Sequence, residues 1–239
     1  MHQVYRLRQR AGKGVKKLGI YGGTFNPVHY GHLRTAEEVR DKLSLDRILF
    51  VPAGKTPFEK PEMVKAVHRY KMVKAAIADN PHFQISAIEV KARGKSFSVD
   101  TIGKLSVKYR GSELFFILGI DAFPDLPYWK QPDRLVDLAH FVVISRPGHT
   151  FAGLASSPYL RGVPLKTLRE MDSGTRDIFP FNISERRKGF LCRVTSLDIS
   201  ASGIRNLIIS GRNAKYLLPD SVESYIISKK LYKSRRGNS

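Results

Sequence analysis

Two histidines three residues apart, His29 and His32, have the type and spacing that indicate chemistry in this chain. They follow a predicted strand over residues 18–21 and open a predicted helix. Residues three apart share one face of a helix, so both rings face the same small volume. Because a helix start offers free N–H groups and a positive dipole end, that volume suits a phosphate. The turn before it, whose glycines leave room for close backbone approach, contains Gly22, Gly23, Thr24 and Phe25.

Other sites built on glycine turns or histidines do not fit these residues. The turn lacks the G-x-G-x-x-G spacing of a dinucleotide fingerprint and the G-x-x-x-x-G-K-[ST] spacing of a P-loop. His29 and His32 alone supply too few ligands for a metal ion, since no carboxylate or third histidine lies beside them. Two histidines that cap a surface helix are the alternative. The strand, the paired glycines and the helix start together favour the phosphate site.

A second predicted helix start, within residues 197–205, carries side chains that also suit phosphate. Ser200 and Ser202 offer hydroxyls that can cap the helix or donate to phosphate oxygens. Arg205, one turn into the helix, can bind phosphate oxygens with two parallel hydrogen bonds. Alone, these residues fit an ordinary capped helix with a surface arginine. Together with the two histidines, they favour a second side of the same anion site.

The string GGTFNPVHYGHL resembles the H-x-G-H signature of the adenylyltransferase superfamily and is most similar to bacterial nicotinate mononucleotide adenylyltransferases. In that family the two histidines contact the phosphates of ATP and stabilise the transferring phosphoryl group. The segment ISASGIR resembles the family motif I-S-S-T-x-I-R, which implies that Ser200, Ser202 and Arg205 bind the β- and γ-phosphates. The family usually has aspartate where this chain has Asn26, which removes a negative charge beside the phosphates.

The resemblance also implies residues for the mononucleotide. The string LFFILGIDAFPDLPYW is similar to the family's G-x-D element and the tryptophan after it. This implies that Gly119 and Asp121 bind the mononucleotide, with Asp121 accepting from ribose hydroxyls. Trp129 would stack on the pyridine ring, with core packing as the alternative. SFSVDT resembles a family helix start, which implies that the backbone around Ser98 binds the nicotinate carboxylate.

Two further positions have weaker counterparts in the family. Arg146 stands in an R-P-G turn after a strand, where the resemblance implies that its guanidinium lies along the adenine. Lys55 stands in a loop where the family often has P-P-H-K, whereas this chain reads T-P-F-E over residues 56–59. We expect Lys55 to contact phosphate on the mononucleotide side in place of that motif.

The matches run in colinear order over residues 17–147 and 191–233 and imply one reaction. Nicotinate mononucleotide and ATP would give deamido-NAD and pyrophosphate in NAD biosynthesis. The 5′-phosphate of the mononucleotide would attack the α-phosphorus in line, so catalysis would depend on positioning and charge stabilisation. Mg²⁺ would be the cofactor, held mainly by ATP phosphates and water because it dehydrates reluctantly. We expect no metal ligand from the protein.

Two other functions are weighed against this one. A pantetheine-phosphate adenylyltransferase shares the T-x-H-x-G-H chemistry but resembles shorter chains without the G-x-D, tryptophan and R-P-G elements. A basic nucleic-acid-binding protein would explain a formal net charge of +20, from 41 Lys and Arg against 21 Asp and Glu. A protein of that kind would carry interleaved basic and aromatic residues on one face. The sequence lacks such a pattern outside its two ends. We therefore expect at most weak nucleic-acid contacts from the tails.

Composition supports a globular protein without disulfides or membrane spans. Hydrophobic residues make up 42% and charged residues 26% of the 239 positions, and Cys192 is the only cysteine. The apolar runs are far shorter than the ~20 residues of a spanning helix, and the start of the chain has no secretory h-region. We expect a cytoplasmic enzyme whose oligomeric state is open. The basic segment 1–16 is expected to be a disordered tail, and 234–239 a second basic tail.

Strands and helices alternate along the chain, which predicts an α/β, Rossmann-like open parallel sheet with helices on both faces, of the nucleotidylyltransferase type. The predicted strands are 18–21, 48–51, 84–90, 114–118, 141–145 and 191–195. The predicted helices are 33–43, 64–78, 99–109, 133–139, 203–210 and 221–228. Residues 17–233 are expected to form one domain with an irregular insertion at about 148–190, in which one short helix lies near 164–171.

Overall fold

The computed structural model describes residues 16–55 and 63–232. Within this part of the chain, seven strands form one sheet in the order β3-β2-β1-β4-β5-β7-β6. All neighbouring strands pair in parallel except β6, which lies antiparallel to β7 at one edge. The strands are β1 Lys17–Gly23, β2 Arg47–Pro52, β3 Phe83–Ile85, β4 Glu113–Gly119, β5 His140–Ile144, β6 Ile178–Asn182 and β7 Lys188–Cys192.

Seven α-helices accompany these strands in the described residues. They are α1 Tyr30–Lys42, α2 Ala66–Ala76, α3 Ser98–Lys108, α4 Pro132–Leu138, α5 Leu165–Ser173, α6 Ala201–Ile209 and α7 Asp220–Ser228. Short 3₁₀ segments lie at Phe123–Tyr128, Ala152–Leu154 and Pro158–Leu160. The helix ends follow sequence signals: α4 has proline at its start, and α5 ends at Gly174, whose positive φ of 78° suits glycine.

Both faces of the sheet are buried, because each strand sends alternate apolar residues to opposite sides. Along β4, Phe116 and Leu118 pack into one core, while Phe115 and Ile117 pack into the other. The first core is covered by α3, α4 and α5, and the second by α1, α2, α6 and α7. The predicted Rossmann-like open sheet with helices on both faces is confirmed.

The strand order places a crevice at the centre of the sheet. The chain runs from β1 outward through β2 to β3 and then returns to the other side of β1 as β4 and β5. The connections after β1 and β4 therefore leave the sheet in opposite directions. In open α/β sheets such a point, beyond the carboxyl ends of the strands, is where ligands bind.

The structure differs from the sequence prediction at the strand expected over 84–90. The strand β3 ends at Ile85, and the residues after it form turns. Ser86 donates its N–H to Phe50 O at 2.9 Å, and its hydroxyl then accepts from Ile88 N at 3.3 Å. This local side-chain hydrogen bond bends the chain out of the sheet, although the apolar pattern continues.

The segment predicted as an irregular insertion, about 148–190, is more ordered than expected. Its predicted short helix is present as α5, but the prediction that the chain rejoins the sheet only at 191 is wrong, because β6 already pairs with β7. The segment also contributes to the first core. Its buried members there are Phe151, Leu154, Leu160, Leu168, Met171, Phe181 and Ile183.

Two sequence expectations concern parts of the chain at or beyond the described residues. The basic tails predicted at 1–16 and 234–239 lie outside them, apart from residue 16. The segment 56–62, which contains the T-P-F-E string, also lies outside them. Among the residues that the structure does describe, no helix is both long enough and apolar enough to cross a membrane.

Candidate functional site

A cavity of about 670 Å³ lies at the central crevice of the sheet. Its sides come from the carboxyl ends of β1, β4 and β5, from the segment after β7, and from the starts of α1 and α6. Of the residues predicted for the site, those that line it are Gly22, Gly23, Thr24, Phe25, His29, His32, Gly119, Asp121, Arg146, Ser200, Ser202 and Arg205. The structure thus brings together residues from both ends of the sequence.

The two histidines lie against each other at the start of α1. Their ring centroids are 3.8 Å apart, and the ring of Phe25 stands nearly edge-on to His32 at 5.1 Å. Phe25 itself is buried and has a positive φ of 49°, so the turn is held in an uncommon backbone conformation by its packing. The ring of His32 therefore packs against both Phe25 and His29.

Hydrogen bonds define which nitrogen atoms the histidines can offer to a ligand. The backbone N–H of His29 donates to Nδ1 of His32 at 3.3 Å. In the neutral ring of His32 this places the proton on Nε2, which is then available as a donor. Nδ1 of His29 is buried without a hydrogen-bond partner among residues 16–55 and 63–232.

Both histidines are held in the neutral form at neutral pH. Burial, assisted by the positive charge of Arg146, lowers the pKa of His29 from 6.5 to about 4. Burial, followed by His29 and Arg146, lowers the pKa of His32 well below its ordinary value. The free site therefore presents two neutral imidazoles, and its fixed positive charges come from the arginines.

The start of α6 forms the opposite side of the cavity. The hydroxyl of Ser200 caps the helix by accepting from Gly203 N at 3.0 Å, and the hydroxyl of Ser202 donates to Ser200 at 3.3 Å. Arg205 lies half-buried one turn into the helix, and its Nη1 donates to Asn26 O at 2.9 Å. One guanidinium therefore joins α6 to the turn before the histidines while it faces the cavity.

Asp121 and Arg146 meet across the cavity, where β4 and β5 end. Arg146 Nη1 lies 3.0 Å from Asp121 Oδ2, and both side chains remain partly exposed. Gly119 permits this contact, since a Cβ there would collide with the Asp121 carboxylate and lie 3.1 Å from Arg146 Nε. The sequence predicted separate ligands for the two residues, whereas in the structure they form an ion pair with each other.

Three predicted site residues stand outside the cavity as the described residues define it: Lys55, Ser98 and Trp129. Lys55 follows β2, and its carbonyl accepts from Ser96 N at 3.0 Å. Ser98 is the first residue of α3. The half-buried ring of Trp129 packs edge-on against Phe116, with centroids 6.3 Å apart. Trp129 therefore packs against the core, as the alternative to stacking on the pyridine ring predicted.

Sequence reasoning missed Glu38, which joins α1 to the segment between β7 and α6. Its Oε2 accepts from Thr195 N at 2.9 Å, and its Oε1 accepts from Arg34 Nε at 2.6 Å. Burial raises the pKa of the Glu38 carboxyl, but the hydrogen bonds from Thr195 and Arg34 outweigh it, so the pKa is lowered. Its carboxylate fixes the segment after β7 to α1. No motif marks it, because its backbone partner is 157 residues away.

The described residues offer no metal site of their own. No group of three or more His, Cys, Asp or Glu side chains among them could hold a metal ion. Asp121, the predicted carboxylate of the cavity, is already paired with Arg146. A divalent cation in the cavity would take oxygen ligands from the bound nucleotide and water.

Comparison with known proteins identifies the family. The chain matches the cytidylyltransferase-like family over residues 20–207. A probable nicotinate-nucleotide adenylyltransferase of Geotalea daltonii is 41% identical over 92% of this chain and the whole of its own length. Its namesake from Syntrophotalea carbinolica is also 41% identical, over 92% of this chain and 98% of its own. The chain belongs to the nicotinate-nucleotide adenylyltransferase family. It is therefore a nucleotidyltransferase, as the sequence predicted.

Solved structures of nicotinate-nucleotide adenylyltransferases share the fold of this family member. The nicotinic acid mononucleotide adenylyltransferase of Plasmodium falciparum complexed with NaAD has a TM-score of 0.65 and 18% identity. The same enzyme complexed with APC has a TM-score of 0.63. Each comparison covers 91% of this chain and 97% of the other. At this level of identity the likeness shows the fold, and the ligands belong to those proteins.

Proposed function

We propose that this chain transfers the adenylyl group of ATP to the 5′-phosphate of nicotinate mononucleotide, giving deamido-NAD and pyrophosphate in NAD biosynthesis. The observation that carries the proposal is the convergence of His29, His32 and Arg205 on one cavity. These residues lie on two helices that start at the same edge of the sheet. Helix starts, neutral donors and a guanidinium suit a polyphosphate better than a neutral ligand.

The reaction requires no nucleophile or base from the protein. A phosphate oxygen of the mononucleotide forms a bond with the α-phosphorus of ATP as the bond from that phosphorus to the pyrophosphate oxygen breaks. Negative charge grows on the leaving group and the α-phosphoryl oxygens. His29 and His32 would donate to these oxygens, and Arg205, Ser200 and Ser202 would hold the β- and γ-phosphates.

The remaining residues would bind the two nucleosides. Gly22, Gly23, Thr24 and Phe25 would follow the ATP chain, and Arg146 would lie along the adenine. Asp121, beside Gly119, would accept from a ribose hydroxyl after its ion pair with Arg146 opens. Trp129, the start of α3 at Ser98, and Lys55 would contact the mononucleotide.

We propose Mg²⁺ as the cofactor, with its ligands supplied mainly by ATP phosphates and water. When bound, it would neutralise phosphate charge, a contribution that the arginines share. We also propose a cytoplasmic location, because the reaction consumes ATP; cell fractionation with an antibody to the full chain tests it.

An assay of pyrophosphate release tests the function. The full chain is incubated with ATP and, in parallel, with nicotinate mononucleotide, nicotinamide mononucleotide or phosphopantetheine. We expect nicotinate mononucleotide to be used about 10- to 150-fold better than the amide, since a charge-assisted hydrogen bond contributes roughly 1.5–3 kcal/mol. Equal use of the acid and the amide would contradict only the proposed contact with the nicotinate carboxylate, and adenylyl transfer would stand. Preference for phosphopantetheine would contradict the proposed substrate.

A further inference from the structure

Gly54, two residues after β2, is held between two charged side chains. Arg69 Nη2 donates to its carbonyl at 3.1 Å, and its own N–H donates to Glu89 Oε2 at 3.2 Å. A Cβ at this position would lie 2.9 Å from Ser96 Oγ and would collide with the backbone of Glu89. The chain therefore passes between the arginine and the glutamate with no space for a side chain.

Arg69 is almost completely buried, with 1% of its surface exposed. Besides Gly54, it donates from Nη1 to Thr24 O at 2.8 Å and from Nε to Val64 O at 3.2 Å. Burial lowers the pKa of the guanidinium, while the fields of Tyr232 and Glu89 act against this shift. A buried cation is costly unless its donors are satisfied, and here three carbonyls from separate segments satisfy them.

Glu89 connects the same glycine to the other face of the sheet. Its Oε1 accepts from Thr101 Oγ1 at 2.7 Å, and Thr101 is buried in the first turn of α3. The helix α2, which carries Arg69, packs into one core, whereas α3 packs into the other. Hydrogen bonds thus run from Thr24 through Arg69, Gly54 and Glu89 to the start of α3.

We propose that Arg69 and Glu89 are positioning residues that set, through Gly54, the spacing between the ATP side of the site at Thr24 and the mononucleotide side at the start of α3. The inference rests on the proposed function, since it requires two substrates bound at those two places. Neither side chain lines the cavity formed by the described residues, so both act through the backbone that they hold. In-line transfer is sensitive to such spacing, and a displacement of about 1 Å can lower the rate on the order of 10²-fold.

Conservative substitutions in the full chain test this role. Glu89→Gln keeps the shape of the side chain but replaces one oxygen by an NH₂ group, which cannot accept a hydrogen bond. Either the bond from Gly54 N–H or the bond from the Thr101 hydroxyl is therefore lost. Arg69→Lys keeps the charge but cannot reach three carbonyls at once. Lys71→Gln, which removes an exposed charge from the same helix, is the matched control. The kcat of adenylyl transfer and the separate Kd values for ATP and nicotinate mononucleotide are measured for each variant.

We expect kcat to fall about 10- to 100-fold in both conservative variants, while each Kd changes by less than about threefold. The double variant should lose little more than the worse single variant, because both substitutions release the same glycine. Lys71→Gln should match the unmodified chain. Should Arg69→Lys fail to fold, Glu89→Gln, which is only half-buried, carries the test.

Three results would overturn the inference. One is an unchanged kcat in a folded Glu89→Gln variant, and another is a kcat loss that is fully additive in the double variant. The third is a parallel weakening of both Kd values with lower thermal stability, which would indicate a purely structural role. In all three cases the unmodified chain would still make deamido-NAD. An unmodified chain without that activity would contradict the proposed function, and the inference with it.

Discussion

Tyr232 donates its hydroxyl to Oδ1 of Asn26 over 2.8 Å, which joins the end of the described chain to the turn before the two histidines. Both residues are buried. The same Oδ1 accepts from Val64 N at 3.3 Å, and the Asn26 carbonyl accepts from Arg205. The family that this sequence resembles usually has aspartate at this position. Asn26 keeps a side-chain oxygen that accepts these hydrogen bonds, but it carries no charge. The acceptor function is what these donors require.

Loss of the Tyr232 hydroxyl should destabilise the protein moderately. We expect Tyr232→Phe to lower the free energy of unfolding by about 0.5–1.5 kcal/mol, the usual contribution of one such hydrogen bond. Urea denaturation of the full chain measures it. Tyr216→Phe is the control, since that tyrosine is 82% exposed. Equal stability of the two variants would show that the contact to Asn26 contributes nothing.

The C-terminal limit of the functional chain should lie just after Tyr232. Removal of residues 233–239, or of 1–15, should leave kcat/KM within a few-fold, because the family motifs begin near Lys17. Removal of 231–239 should in addition take away Tyr232, which is buried in the second core, and so reduce both stability and activity. Steady-state kinetics of the three truncated chains tests this. A hundredfold loss on deletion of 1–15 would place the basic segment in the site.

Stability should fall in mild acid because of the buried histidines. The pKa of His29 is about 4 in the folded chain and near 6.5 when exposed, so the unfolded chain binds more protons between these values. The contribution of His29 to stability is present above pH ~6.5 and is lost as the pH falls toward ~4. His29→Gln should therefore show a smaller change in unfolding free energy between pH 7 and pH 5. His149→Gln, at an exposed position, is the control. An unchanged pH dependence in His29→Gln would contradict the lowered pKa.

The sequence predicted which residues line the cavity at the starts of α1 and α6 because the signals for them are local. The strand, the turn with Gly22 and Gly23, and the histidines at the start of α1 are contiguous, and their spacing alone defines a geometry. The same holds for Ser200, Ser202 and Arg205 on α6. That these two groups share one cavity follows from the strand order, which the alternation of strands and helices restricts but does not determine.

What the sequence could not predict depends on contacts with distant backbone groups. Arg69, Glu38 and Glu89 hydrogen bond to carbonyls and N–H groups, which every residue has, so no pattern of residue types marks the partners. The early end of β3 has a similar cause, since Ser86 turns the chain by a local hydrogen bond while the apolar pattern continues. The strand β6 contains Pro180, which argued against a strand but is tolerated at the edge of the sheet.

A methyl group at position 119 should disturb the ion pair between Asp121 and Arg146. We expect Gly119→Ala to lower kcat/KM for nicotinate mononucleotide several-fold, since the added Cβ would push aside the Asp121 carboxylate that is proposed to accept from a ribose hydroxyl. Gly103→Ala is the matched control, because a Cβ at that position meets no atom closer than 3.9 Å. Kinetics with the mononucleotide varied at saturating ATP measures the effect. Equal kcat/KM values for the two alanine variants would show that the end of β4 accommodates the methyl group with no effect on the reaction.

The most direct test of the site concerns His32. Its Nε2 proton, assigned by the hydrogen bond at Nδ1, would be donated to the oxygens on which charge grows during the proposed transfer. Such a donor acts on the transition state more than on bound ATP, and removal of one typically lowers kcat about 10²–10³-fold. We therefore expect His32→Ala to lose kcat by this factor while the KM for ATP changes far less.

His29→Ala should behave similarly, because its ring lines the same cavity and lies 3.8 Å from the ring of His32. His68→Ala is a control, since His68 lies on α2 and hydrogen bonds Tyr225, away from the cavity. Circular dichroism must show that each variant is folded. Since both rings are neutral in the free site, kcat/KM of the unmodified chain should show no histidine ionisation between about pH 6 and 8. If a folded His32→Ala variant kept most of its kcat, the paired histidines would be helix-capping residues and the phosphate site would have to lie elsewhere.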